Sequence, residues 1–168
     1  YLARHPQLDY AEEMHHFYDE GTKIYQDPQY FDRLAQAHGV DLTEVSLSTE
    51  IDESGAIEKL AHSIGVIEKM PEVTELLLVA LSEDLSLHGL GEALSIGGAR
   101  LFLRSHTGNP FDVHIHTGIN ARRYLLGLDD VSVRTKAIGL VSWATGVEVR
   151  YLDATLQWPL DDNPTPFA

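Results

Sequence analysis

A chain of 168 residues with 43% hydrophobic content is one ordinary domain, long enough to bury a core and too apolar to be disordered. Its 12 lysines and arginines face 26 acidic residues, a net charge of −14, which argues against a general phosphate-binding surface and hence against DNA or RNA as a partner. The absence of cysteine excludes disulfide scaffolds, thiolate zinc sites and cysteine nucleophiles.

No apolar run is long enough to span a bilayer, and the opening residues do not read as a signal peptide. A soluble protein with no membrane partner is expected, with the cytoplasm favoured, although cysteine-free proteins occur in every compartment. The chain begins at Tyr1 rather than methionine, so a fragment of a longer protein stays among the expectations.

Asp9 is placed to cap a first helix over residues 10–25, with Met14, Phe17, Tyr18 and Ile24 on its apolar side. Asp27-Pro28 predicts the start of a second, running through Phe31 and Leu34 to a stop at His38-Gly39, where His38 would meet the helix C-terminus. Residues 41–53 read as a loop or a short strand. Ser54 opens a helix carrying Ile57, Leu60, Ala61, Ile64 and Ile67 at helical spacing. Pro71 begins the next, whose Leu76-Leu77-Leu78-Val79 run reads as core.

A long helix is predicted over residues 83–104 despite glycines at 89, 91, 97 and 98, each costing about 1 kcal/mol relative to alanine. Gly91, Ser95 and Ala99 fall four apart, so this stripe would let a helix or a ligand approach the backbone. Residues 106–110 form a turn. A helix over 117–126 stops at Gly127, and Asp129 or Asp130 caps the last one, whose centre (137–147) is apolar nearly all round. Residues 147–152 alternate and could pair as a strand, and 161–168 are a frayed tail. The expected fold is all-α: a compact helical domain of five to seven helices with little or no sheet, a single domain over 1–168.

The candidate chemistry rests on 9 histidines, whose neutral imidazoles suit iron, zinc and copper. In Phe111–Gly118 (FDVHIHTG), Asp112, His114 and His116 alternate with apolar residues, so an extended backbone would turn all three to one ion. In a helix, His114 and His116 would point nearly opposite ways. His88 and Glu92 stand four apart on one helical face, as two ligands or as a ligand and its orienting partner.

Glu12-x-x-His15 and Glu13-x-x-His16 have the spacing of di-iron bundles. Their copies overlap on one helix, which leaves His16 as a candidate only for a mononuclear site. The Asp-x-His-x-His run also looks like the first-strand metal motif of amidohydrolase barrels, but such barrels need about 250 residues with most strands after the motif. No phosphate loop, dinucleotide fingerprint or nucleophile elbow is present.

Three segments taken together, SLHGLGEALSIGGARLFLRS (86–105), VHIHTGINARRYLLG (113–127) and RTKAIGLVSWATGVEVRYL (134–152), resemble the core of the questin oxidase-like proteins. The resemblance implies a helical oxygenase acting on aromatic polyketide-like rings with non-haem iron, and His88, His114 and His116 are the matching positions. The expected metal set is therefore His88, His114, His116, Glu92 and His16, with Fe or another divalent ion as cofactor. Gly91, Ser95, Asn120, Arg123 and Trp143 are the candidate contacts for an apolar small-molecule substrate. Two other readings stand beside this one: a non-catalytic helical subunit or binding module, as a homo-oligomer or with a partner subunit, and a metal-dependent hydrolase.

Overall fold

The computed structural model describes residues 23–24, 26–104 and 112–145, and every regular element among them is helical. In chain order these are α1 Tyr30–Ala37, α2 Ser54–Gly65, α3 Pro71–Ser82, α4 Leu87–Arg104, α5 Asp112–Leu126 and α6 Val133–Val141, closed by a 3-10 turn at Trp143–Thr145. The expected all-α architecture is the one observed among the described residues. None of the helices searched is long and apolar enough to cross a membrane. The helix expected over 10–25 lies outside the described residues except for helical Lys23 and Ile24, as do the 106–110 turn, the 147–152 stretch and the 161–168 tail.

Several element boundaries differ from the sequence expectation, each for a local reason. Asp27 does not cap α1: its Oδ1 accepts the Gln29 N–H at 3.0 Å in a preceding turn, its carboxylate pairs with Arg33, and the helix starts at Tyr30. Residues 41–53 are a loop without a strand, folded back by Asp41, which accepts the Thr43 N–H (2.9 Å) and hydroxyl (2.7 Å). Those bonds hold the Asp41 carboxyl below the usual carboxylate range, and the Ser54 N–H does the same for Asp52. α4 begins at Leu87 rather than 83, because Asp84 takes φ +66° and turns the chain between α3 and α4. α5 begins at Asp112, five residues earlier than expected. Ser132, not Asp129 or Asp130, caps α6 by accepting the Thr135 N–H at 3.2 Å, and α6 ends at Val141 rather than running to 147.

α4 is the centre of the assembly, with α2, α3, α5 and α6 all packed on it. Its most extensive partner is α2, and the two run parallel: Gly89 lies beside Glu53, Gly97 beside Ile64, and Arg104 beside Gly65. An added Cβ on Gly97 would sit 2.7 Å from Ile64 Cβ and Cγ2 and 3.2 Å from the Ala61 carbonyl oxygen. Glycine is thus required there so that two backbones can approach, and burial of Leu60, Ala61, Ile64, Leu90, Ala93, Leu94 and Leu101 offsets its helix penalty.

Both ends of this parallel pair are closed by a charge of the sign that the helix dipole favours. At the start of α4, Glu53 accepts the Ser86 N–H (2.6 Å) and hydroxyl (2.6 Å), while Ser86 Oγ accepts the Gly89 N–H at 3.1 Å. The Leu87 and His88 N–H groups donate to the Ser46 and Leu47 carbonyls at 2.9 and 3.0 Å. Four donors that a helix start leaves open are thereby all satisfied. At the other end, buried Arg104 donates to the Gly65 and Ile67 carbonyls, both at 2.8 Å, capping α2. Burial pulls the Arg104 guanidinium below its ordinary pKa, with Glu68 opposing. Arg100 adds a 2.6 Å bond to Glu58 on α2.

Elsewhere the frame is held by long-range polar contacts. Thr74 of α3 donates to the buried Val141 carbonyl at 3.0 Å, and Arg134 of α6 grips Asp32 of α1 through its Nε at 2.9 Å and its Nη2.

This geometry predicts the outcome of substitutions at three positions. Gly97→Ala lowers unfolding free energy by about 1–3 kcal/mol through overpacking against Ile64. Gly55→Ala, where nothing lies within 4 Å of the new methyl, raises it by about 0.4–1 kcal/mol; urea denaturation reads both. Glu53→Ala costs about 1–3 kcal/mol by leaving the Ser86 donors unpaired in a half-buried site, whereas Glu53→Gln, which keeps an acceptor oxygen, costs less.

Candidate functional site

The α4–α5 seam holds most of the residues singled out for substrate contact. The two helices run antiparallel, since Gly91 meets Arg123 and Leu126 while Gly98 meets Ile119 and Ile115. Gly91, Ser95 and Arg123 do converge, but on one another. Ser95 Oγ donates to the Gly91 carbonyl at 3.0 Å and accepts from Arg123 Nη1 at 2.9 Å. The Arg123 stem lies 3.2 Å from where a Gly91 methyl would sit. At Gly98 the Ile119 Cδ1 stands 2.6 Å from the same position. Of the two occupants expected for this stripe, a helix or a ligand, the helix is the one observed: the space over Gly91 and Gly98 is filled by side chains of α5. Asn120 is exposed on α5. Trp143 is fully buried, its indole Nε1 3.3 Å from the Cβ position of Gly118 and without a hydrogen-bond partner among the described residues.

The histidines are dispersed. α5 is helical from Asp112 through Gly118, so the extended geometry needed to align His114 with His116 is not formed. Two residues along a helix place these side chains about 200° apart. His116 rests on Phe102, with ring centroids 5.5 Å apart. Phe102 and His88 stand at opposite ends of α4, about 21 Å apart along its axis at 1.5 Å per residue. His88 and Glu92 are exposed on the outer face of α4, and the role of His88 that is visible is its backbone bond to Leu47. His16 lies outside the described residues. No group of three or more histidine, aspartate or glutamate side chains among the described residues could hold a metal ion. His38 does not meet the end of α1 through its ring; its Nε2 bonds Glu75 of α3 at 2.6 Å.

A different surface is more open. α2 and α3 form an antiparallel hairpin, with Lys59 near Glu83 at its open end and Ile67 near Glu72 at the turn. They touch each other far less than α2 touches α4, and a furrow runs between them. Its floor includes Leu60, Leu76, Ala80 and Leu85, continuing to Val66 and Ile67 at the turn. Val66 and Val79 are each 42% exposed. Glu72, Glu75, Leu76, Val79 and Glu83 recur at three- and four-residue spacing, so the carboxylates share the α3 face that carries the exposed apolar side chains.

This furrow was hidden inside a run that reads as core. Leu77 and Leu78 are fully buried, as expected, but Val79 is not. The signal was present, because four consecutive apolar residues cannot all face one side of a helix.

No family model, curated protein or solved structure matches this chain.

Proposed function

We propose that this chain is a non-catalytic helical binding module, and that the α2–α3 furrow is its working surface. One contrast carries the reading: the glycine notches along α4 are occupied by Glu53, Ile64, Arg123, Ile115 and Ile119, while the furrow is apolar, open and rimmed by charge. An enzyme for small apolar substrates needs an enclosed pocket with a few convergent polar groups. A docking surface needs an accessible apolar strip with a polar rim. The described residues supply the second arrangement.

The metal-dependent oxidoreductase suggested by the questin oxidase-like resemblance has less support. It would place iron on histidines of α4 and α5, and His88 and His116 sit at opposite ends of their seam. The hydrolase reading would use the same ligands and has the same difficulty.

Anaerobic titration of the purified chain with ferrous iron separates the two classes. The module reading predicts no stoichiometric binding that depends on His88, His114 or His116, and an unfolding midpoint unchanged by chelators. One iron per chain, lost in His88→Ala or His114→Ala, would overturn it in favour of the oxidoreductase.

A further inference from the structure

Resting on the module reading, we infer that the α2–α3 furrow docks a basic amphipathic helix from a partner protein. Length, shape and charge together select this occupant. The stretch from Glu72 to Glu83 gives about 16 Å of furrow, or three helical turns. That is the dimension of helix-in-groove recognition, in which apolar side chains at i, i+3, i+4 and i+7 fill a channel between two helices. Here Leu76 and Val79 on α3 are the receiving apolar side chains, over a floor that the largely buried Leu60 of α2 and Leu85 after α3 complete.

The rim decides the sign of the partner. Glu72, Glu75 and Glu83 line it, and Lys59 is the one lysine or arginine among the described residues that do. The Glu75 and Glu83 side chains are 53% and 59% exposed, so both can reach lysine or arginine on an incoming helix. Their present partners are an imidazole for Glu75 and a 3.4 Å contact with exposed Lys59 for Glu83, an arrangement of low strength at a solvated surface.

The same charges disfavour the other occupants. A second copy meeting this face two-fold would set the same carboxylates against each other, in a chain of net charge −14. Residues 1–22 of this chain carry Asp9, Glu12, Glu13, Asp19 and Glu20 against Arg4, the wrong sign for an acidic rim. A cationic partner helix would meet attraction along the whole rim, and attraction of this kind speeds encounter and selects against acidic helices.

The test uses the full chain and a fluorescein-labelled helical peptide of about fifteen residues, long enough for four turns. The peptide carries leucines at i, i+3, i+4 and i+7 and lysines on the flanks; a counterpart has glutamates for the lysines. Anisotropy is expected to show binding of the lysine peptide, weakened at least tenfold for the glutamate peptide and weakened as salt screens the rim. Val79→Lys, at an exposed helical position, should weaken binding at least tenfold, and Tyr124→Lys on α5 should leave it unchanged.

Absence of binding, equal binding of both peptides or indifference to Val79→Lys overturns the proposal. So does light scattering that shows a dimer broken by Val79→Lys, which would make a second copy the occupant. Amide shifts that cluster at Phe102, Leu103 and Val113 would move the docking surface to the end of the α4–α5 seam, sinking the furrow while sparing the module reading. Only histidine-dependent iron would sink the module itself.

Discussion

The close parallel approach of α2 to α4 is the constraint on which the rest of the structure depends. Parallel neighbours align their dipoles unfavourably and leave both pairs of ends open on the same sides. This chain answers with an anion at one end and a cation at the other. Glu53 closes the start of α4 from the residue that precedes α2, and Arg104 closes the end of α2 from the last residue of α4. Between these clasps Gly97 lets the Ile64 side chain pack directly on the α4 backbone. α5 uses the other side of α4 in the same way, across Gly98 and Gly91.

That economy of space has a consequence for function. Once α4 is wrapped on both sides, its small residues are no longer available to a ligand. Among the surfaces that stay accessible is that of the α2–α3 hairpin, where Val66 and Val79 are exposed and Leu76 is partly so. The apolar surface that a second layer would cover thus lies where α2 faces away from α4. The helical repeat of α3 lines that surface with Glu72, Glu75 and Glu83.

Much of this was legible in the sequence. Helical spacing located the start of α2 and both ends of α3 nearly to the residue, although α2 stops at Gly65, short of the Ile67 expected within it, and the glycines of residues 89–98 announced a close approach. Their occupants were not legible, because Ile64, Ile115 and Ile119 look like any other core isoleucine. The clasp at Glu53 was hidden for a related reason. Ser86 is followed three residues later by Gly89 rather than by the glutamate of a capping box, and the carboxylate arrives from 33 residues upstream. The histidine pair misled through backbone period alone: alternation at 112–116 suits a strand, whereas the turns of α5 that include Ile115 and Ile119 need a helix to reach Gly98. Tertiary packing of two isoleucines overrode a local pattern of period two.

The central claim is that the notches of α4 at Gly97 and Gly98 exist to receive isoleucine side chains. A double-mutant cycle between Gly98→Ala and Ile119→Val tests it most directly, since the second change removes the Cδ1 atom that a Gly98 methyl would strike at 2.6 Å. The account predicts that Gly98→Ala is better tolerated by about 1 kcal/mol or more in the Ile119→Val background than in the parent chain. Additivity of the two substitutions within about 0.3 kcal/mol would contradict it and return the space over Gly98 to a ligand.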